Sequence, residues 1–245
     1  MSCLSGPAKD DLIIIKTNDD MTKMTQEELD RQDQLTEKVN AFETFYNEKK
    51  GMIWGSVAAV LVVIAGVLAF NNFVSKPKQA EAAAQMYPAE ASFANGEFEL
   101  ALNGDGNVYG FAEVISEYKG KAPKSAKFYA GVCELRLGHY EEALNYLKAY
   151  KGKDAILAAR ALACQGDALT GLDKLQEAVS AYRKAADKAD NVFAAEYLLK
   201  AGVVSEKLGD KATALSLYKT IKDKYPQSVE GYDIDKYIAR IEAGE

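Results

Sequence analysis

The stretch YAGVCELRLGHYEEALNYLKAY, residues 129–150, decides the fold of this chain, because its spacing returns twice further along. Its glycine, Gly131, is followed by Gly166 and then Gly202, at intervals of 35 and 36 residues. Twelve residues after each glycine is an alanine, and four residues later a large residue: Ala143 with Leu147, Ala178 with Tyr182, and Ala214 with Tyr218. Fixed positions repeated at a period in the mid-thirties predict stacked helical hairpins.

The residue types at these positions suit close packing between the two helices of each hairpin. A glycine on the first helix and an alanine on the second let the backbones approach, and the large residue one turn later fills the space beside them. Gly138 and Gly209 fall between the helices, where a glycine suits a left-handed helix end. The middle repeat has Leu172-Asp173-Lys174 at that point, so its turn is expected to differ.

Two stretches resemble the tetratricopeptide repeat (TPR) family: LGHYEEALNYLKAY (137–150) and LGDKATALSLYKTIKDKYP (208–226). In both, a glycine is followed at fixed spacing by a tyrosine or lysine and then by an alanine. Pro226 falls where that family often ends a repeat, although two repeats lack the proline and the early aromatic of the first helix is weak. The resemblance implies three repeats over about 124–228, stacked into a solenoid that binds peptides or proteins along the concave surface of its first helices.

Irregular elements are predicted on both sides of the three repeats. Residues 79–120 predict an irregular first hairpin, in which NGDGN (103–107) interrupts the pattern. That segment lacks the glycine and glutamate of an EF-hand at its sixth and twelfth positions, Val108 and Val114, so we interpret it as an insertion and not as a calcium loop. At the other end, an apolar stripe predicts a capping helix over 231–243. The stripe consists of Ile234, Tyr237, Ile238 and Ile241.

A second strong pattern is the uncharged run MIWGSVAAVLVVIAGVLAF over residues 52–70. At ~1.5 Å per residue it spans ~28 Å, which predicts a transmembrane helix over 51–74, with a buried core helix as the alternative. A long polar segment precedes it, so it is not a cleavable signal. The flanking lysines slightly favour a cytoplasmic N-terminus; they are Lys38, Lys49 and Lys50 before the run and Lys76 and Lys78 after it.

The segment before the run divides into two predicted parts. Residues 1–24 carry scattered charges and are expected to form a disordered cytoplasmic tail. Thr25 and Glu28 form a capping box, which predicts an amphipathic helix over 25–50. Its apolar face could lie on the membrane surface, dock on a partner or form a weakly packed lead-in to the anchor; that face consists of Leu35, Val39, Phe42 and Tyr46. The predicted fold class is therefore all-α: one transmembrane helix, then a TPR-like α-solenoid over 75–245 of about four helical hairpins plus a C-terminal capping helix.

Composition argues against several functional classes. With 30 basic and 36 acidic residues, the net charge of −6 is unlike the basic footprint of a nucleic-acid-binding protein. The three cysteines, Cys3, Cys133 and Cys164, form no zinc pattern. Cys133 and Cys164 fall on helices that are predicted to be neighbours. They could form a disulfide, but we favour two buried free thiols. His139, the single histidine, falls in a turn. We predict no catalytic site, metal, cofactor, small-molecule substrate or nucleic-acid partner.

The TPR resemblance also implies a protein-binding groove. Carried over to this sequence, the groove positions of the family are Phe128, Val132, Leu135 and Arg136 in one repeat, Ala163, Asp167 and Thr170 in the next, and Leu199, Val203, Glu206 and Lys207 in the third. The lysine and asparagine set with which some members bind C-terminal carboxylates is absent, since Phe128 and Val132 occupy its leading positions.

The whole layout, a short tail, one anchor and a TPR-like domain, resembles the YfgM family of ancillary subunits of the bacterial SecYEG translocon. NGDGNVYGFAEVISEY and YAGVCELRLGHYEEAL also resemble a Bacteroidetes-type branch of envelope TPR proteins. The resemblance implies a single-pass inner-membrane protein with a periplasmic TPR domain, which attends translocon subunits and hands exported chains to envelope chaperones or a membrane-bound prolyl isomerase. A scaffold subunit of another envelope complex, for secretion, division or outer-membrane assembly, is the alternative.

Overall fold

The computed structural model describes the backbone of residues 9–189 and 191–244, with side chains at Arg31 and from residue 34 onward in those ranges. The described residues divide into two units, one that ends at Phe70 and one that begins at Asn71.

The first unit is one helix of 62 residues, α1 (Lys9–Phe70). It includes residues 9–24, for which the sequence predicted disorder, while residues 1–8 of that predicted tail lie outside the described residues. No glycine or proline occurs between residues 9 and 50, so a helix extends through this polar segment at low cost. For the same reason Thr25, the predicted helix start, lies in the interior of α1.

The apolar run lies in the C-terminal part of α1, and all of its side chains except that of Ile53 are exposed. Val62 is 71% exposed, and on the predicted apolar face further upstream Phe42 is 68% exposed. By length and composition, one window in the helical stretch Gln34–Ala94 is long and apolar enough to cross a membrane.

The second unit begins with a π-helical turn (Asn71–Ser75) and continues as a series of α-helices. These are α2 (Lys76–Ala94), α3 (Phe98–Asn103), α4 (Phe111–Tyr118), α5 (Lys124–Leu137), α6 (Tyr140–Ala149), α7 (Ala155–Gly171), α8 (Leu175–Ala189), α9 (Val192–Lys207), α10 (Lys211–Lys224) and α11 (Val229–Glu242). A 3-10 turn (Lys119–Lys121) lies between α4 and α5. The described residues contain no strand, and the predicted all-α class is confirmed.

Helices α5 to α10 form three consecutive hairpins, and each hairpin packs on the next. The irregular set α2, α3 and α4 packs on α5, and α11 packs on α10 and α9 at the other end. The core of the repeats runs continuously from Phe128 to Ile241, while α2 to α5 share a second cluster around Phe111.

The repeated glycines do what their spacing predicts. Each lies against the large residue sixteen positions later, so a Cβ would be too close: 2.7 Å from Leu147 Cγ at Gly131, 2.6 Å from Tyr182 Cε1 at Gly166, and 2.2 Å from Tyr218 Cε1 at Gly202. Carbon atoms in ordinary contact are ~3.5–4.0 Å apart. Only glycine therefore lets the helices of each hairpin approach this closely.

The turns of all three hairpins have the same form. Gly138 and Gly209 have left-handed backbone angles, with φ of +85° and +80°, as predicted. The expectation that the middle turn differs is wrong, because Asp173 takes the same region at φ +57°. In each turn the following residue donates its N–H to a carbonyl five positions back, as Lys174 does to Leu169 at 2.8 Å. Aspartate is tolerated here because its short polar side chain makes the left-handed region less costly than for most residues.

The glycine-rich segment 103–107 closes on itself. The Asp105 carboxylate accepts hydrogen bonds from the backbone N–H groups of Asn107 at 2.9 Å and Val108 at 3.0 Å. Those backbone bonds, that of Val108 first, lower the pKa of Asp105. Its carboxylate is thus used within the turn, in keeping with an insertion between α3 and α4.

Candidate protein-binding site

Three of the predicted groove residues, Phe128, Val132 and Arg136, line one pocket of about 510 Å³. They lie four residues apart on α5 and so share one face of that helix. The rest of the lining comes from the end of α2, the following turn, the start of α3, α5 and α7: Phe93, Ala94, Gly96, Phe98, Tyr129, Leu157, Arg160 and Cys164. The aromatic pocket is this set of eleven residues.

Contacts between rings hold the aromatic side of the pocket in place. Phe93 lies edge-to-face with Phe98 and Tyr129, with ring centres 5.6 and 5.1 Å apart. Tyr129 lies edge-to-face with Phe128 at 5.5 Å. Such pairs contribute ~0.5–1.5 kcal/mol each beyond burial of their area. Phe128 is only 6% exposed, so this wall exists before any ligand arrives.

Two exposed arginines border the same pocket. The guanidinium carbon of Arg136 lies 6.0 Å from the ring centre of Phe98. Arg160 lies on α7. Burial and then the charge of Asp167 raise the pKa of the nearby Cys164 thiol to about 11. The positive charges of Arg160 and Arg136 act in the opposite direction and lower that pKa. Within residues 34–189 and 191–244, neither Arg136 nor Arg160 forms an ion pair with a carboxylate. Both guanidinium groups are therefore available to a ligand.

Asp167, a predicted groove residue of the middle repeat, is bound by side chains from the two following helices. The Tyr182 hydroxyl on α8 donates to its Oδ1 at 2.7 Å, and Lys200 Nζ on α9 donates to both oxygens at 3.0 and 3.1 Å. Burial is the largest single influence on the pKa of Lys200 and lowers it, but the charge and hydrogen bond of Asp167 together with the charge of Glu196 outweigh it, so the pKa is raised and the amine stays charged. This carboxylate links successive repeats.

Glu206 repeats that arrangement in the third hairpin. The Tyr218 hydroxyl on α10 donates to its carboxylate, and Arg240 on α11 donates to both oxygens at 2.8 Å. Burial and the bond to Glu206 raise the pKa of Tyr218, so the phenol stays protonated and donates. The two carboxylates expected to face a ligand are thus used to join helices to one another.

The remaining predicted groove residues lie in several settings. Thr170 donates to the Gly166 carbonyl at 2.9 Å, and Lys207 pairs with Asp173 at 3.1 Å. Val203 is 46% exposed. The others pack against the core: Leu135 and Leu199 are half-buried and Ala163 is buried. The structure therefore gathers three predicted residues in one pocket and leaves the rest outside it.

The two cysteines on the repeats are free thiols. Cys133 lies in the core cluster of α2 to α5, where burial and then Glu134 raise its pKa to about 12. His139 Nδ1 lies 2.8 Å from Glu134 Oε2, at the surface. Across the described residues no group of three or more His, Cys, Asp or Glu side chains could hold a metal ion.

Sequence reasoning missed the pocket residues that lie outside the repeated positions. Phe93 and Phe98 belong to the irregular hairpin, and Arg160 lies early on α7, so the periodicity gave no signal for them. Lys200 and Arg240 lie 33 and 34 residues after the carboxylates that they bind, close to the repeat period, and the tyrosines they accompany were identified only by size. That recurrence was the one available signal for the Tyr–carboxylate–cation sets.

Comparison with known proteins supports the fold. Residues 196–228 match the tetratricopeptide repeat family. A solved structure, "Crystal structure of MamA protein", superposes with a TM-score of 0.50 at 20% identity, covering 62% of this chain and 78% of that chain. No match was found among curated proteins. At this identity the similarity establishes the fold alone, and the chain has a TPR-like helical repeat.

Proposed function

We propose that this chain is a membrane-anchored TPR adaptor that binds proteins beside the Sec translocon and assists hand-over of exported chains to envelope chaperones. The observation that carries a binding role is the aromatic pocket, in which a preformed apolar wall lies beside two guanidinium groups without intramolecular carboxylates. Preformed apolar pockets with a few polar groups are typical binding sites. Repeat domains of this fold generally bind proteins and are generally not enzymes.

The cellular setting is the second part of the proposal. The apolar window in the helical stretch Gln34–Ala94 would hold the chain in the inner membrane with a single span. The flanking lysines favour a cytoplasmic N-terminus and a periplasmic repeat domain. An anchor raises the local concentration of the repeats beside a membrane machine, which strengthens weak contacts without new ones. Translocon subunits and a membrane-bound prolyl isomerase or another chaperone are the proposed partners, as the resemblance to YfgM suggests.

Cross-linking in native membranes, followed by affinity purification of the full chain, tests the partner class. Recovery of translocon subunits supports the proposal, whereas an outer-membrane assembly or other envelope complex without translocon subunits would favour the scaffold alternative. An otherwise identical chain with an unrelated transmembrane segment in place of residues 52–70 is the matched control for capture by membrane proximity. A topology reporter fused after the last residue tests the compartment, and activity only on the cytoplasmic side would overturn the periplasmic hand-over.

A further inference from the structure

The aromatic pocket offers two kinds of contact on neighbouring first helices. An apolar interior is bounded by Phe93, Phe98 and Phe128, and cationic groups border it at Arg136 on α5 and Arg160 on α7. We propose that this pocket binds an extended internal segment of an acidic protein, with a large aromatic side chain in the interior and side-chain carboxylates on the two arginines. This inference rests on the proposed protein-binding function and names the chemistry of the segment.

The interior fits a large apolar side chain. Its volume of about 510 Å³ falls in the ~300–1,000 Å³ range of ligand pockets. Phe93 and Phe98 meet edge-to-face at 5.6 Å and both line the pocket, and aromatic rings favour contact with a further aromatic group. Cys164 adds an uncharged thiol, because burial keeps its pKa far above neutral pH. The phenylalanine rings and the protonated thiol offer no strong hydrogen bond, so this part of the pocket favours apolar contact.

The border fits carboxylates. An arginine presents a planar fork of N–H donors that binds a carboxylate through two parallel bonds, as Arg240 does with Glu206 in this same chain. Arg136 and Arg160 have the same chemistry without such a partner among the described residues. Because they come from two different helices, they can bind two separate carboxylates at this pocket.

The spacing of such a segment follows from strand geometry. In an extended peptide, residues i and i+2 lie on the same face, ~6.5–7 Å apart. An aromatic residue with an aspartate two positions before and two positions after it therefore presents all three side chains to the pocket. An internal segment of this kind supplies both carboxylates from side chains, and a free chain end is not required.

Fluorescence anisotropy with the full chain in mild detergent tests this inference. The probe is a fluorescein-labelled, C-terminally amidated peptide, Gly-Asp-Ser-Phe-Ser-Asp-Gly. We expect saturable binding that weakens with salt, at least a tenfold loss with Arg136→Gln plus Arg160→Gln, and no change with the matched control Arg183→Gln, an exposed arginine on α8 outside the pocket. Peptides with asparagine for both aspartates, or alanine for phenylalanine, should each bind at least tenfold more weakly.

Several results would overturn the inference. They are wild-type affinity in the double arginine variant with unchanged circular dichroism, equal binding of the asparagine peptide, and binding only when the peptide has a free C-terminal carboxylate. A dimer of the chain that excludes the probe and is lost in the double arginine variant would mean that a second copy occupies the pocket. The adaptor function is tested separately from this inference. It stands if wild type and the double arginine variant recover the same partners from native membranes, even where the probe does not bind.

Discussion

Replacing Gly202 by alanine should unfold the third hairpin more easily, although alanine is the better helix former. The new Cβ would lie 2.2 Å from Cε1 and 2.8 Å from Cζ of Tyr218, so the ring would have to move by more than about 1 Å to reach ordinary contact. The ring is held at its far end, because its hydroxyl donates to Glu206, which Arg240 holds through both oxygens. Relief of the clash therefore both strains the packing and weakens that bond.

The expected magnitude follows from these opposing terms. Overpacking a core costs ~1–3 kcal/mol, and loss of a hydrogen bond to a charged group costs ~1.5–3 kcal/mol. Alanine in place of glycine in a helix returns ~1 kcal/mol. The free energy of unfolding should fall by about 2–4 kcal/mol. With a urea dependence of ~2 kcal/mol per molar, the midpoint should fall by about 1–2 M.

Urea titration of the full chain in mild detergent, followed by far-ultraviolet circular dichroism, measures this change. Trp54, the single tryptophan, lies on α1, so its fluorescence reports on the other unit and should not shift. Gly120→Ala is the matched control, because a Cβ there meets nothing within 4 Å, and its effect should stay within ~0.5 kcal/mol. In a Tyr218→Ala background the Gly202→Ala cost should vanish and leave only the gain of ~1 kcal/mol in helix propensity. A neutral Gly202→Ala, or the same cost in both backgrounds, would refute the packing argument.

Three further predictions follow from the same unit. Burial raises the pKa of the Cys133 thiol from 9.0 to about 12, so the unfolded chain loses this proton first and the free energy of unfolding falls from pH 9 upward. In urea titrations at several pH values, Cys133→Ala should make this fall shallower by about 1.4 kcal/mol per pH unit. An unchanged slope would contradict this explanation. Asp173→Gly should raise the free energy of unfolding by about 0.5 kcal/mol and the urea midpoint by about 0.25 M, since relief at φ +57° outweighs the exposed pair with Lys207; a lower midpoint would count against it. Arg240→Gln should speed amide exchange in α11 about tenfold and leave α5 unchanged, because the charged pair with Glu206 is lost; equal exchange would show that the pair contributes nothing.

The repeat core could be predicted from sequence because its determinants are close together in the chain. Gly202 and Tyr218 are sixteen residues apart, within one hairpin, and the same pair of positions recurs three times. The turn at Asp173 was harder, since its aspartate gives no obvious sign of a left-handed residue, yet the packing of α7 on α8 imposes that geometry. The helix over residues 9–24 was missed because scattered charge was given more weight than the absence of glycine and proline.

The composition of the candidate pocket was predictable only in part. Phe128, Val132 and Arg136 follow from their place on the first helix of a repeat. Asp167, by contrast, has the right position but is used by Tyr182 and Lys200, because its neighbours in space supply a donor and a cation. Position on a helix therefore did not reveal which polar side chains stay free.

The sequence by itself determined the helical hairpins, their number in the regular part and the apolar run, because periodicity and hydrophobic length are local properties of the chain. Tertiary structure decided the aromatic pocket, since Phe93 and Arg160 are 67 residues apart and line it together only when the irregular hairpin packs on α5 and α5 on α7. It also decided which charges are free, because a carboxylate pairs with whatever donor the fold brings within about 3 Å.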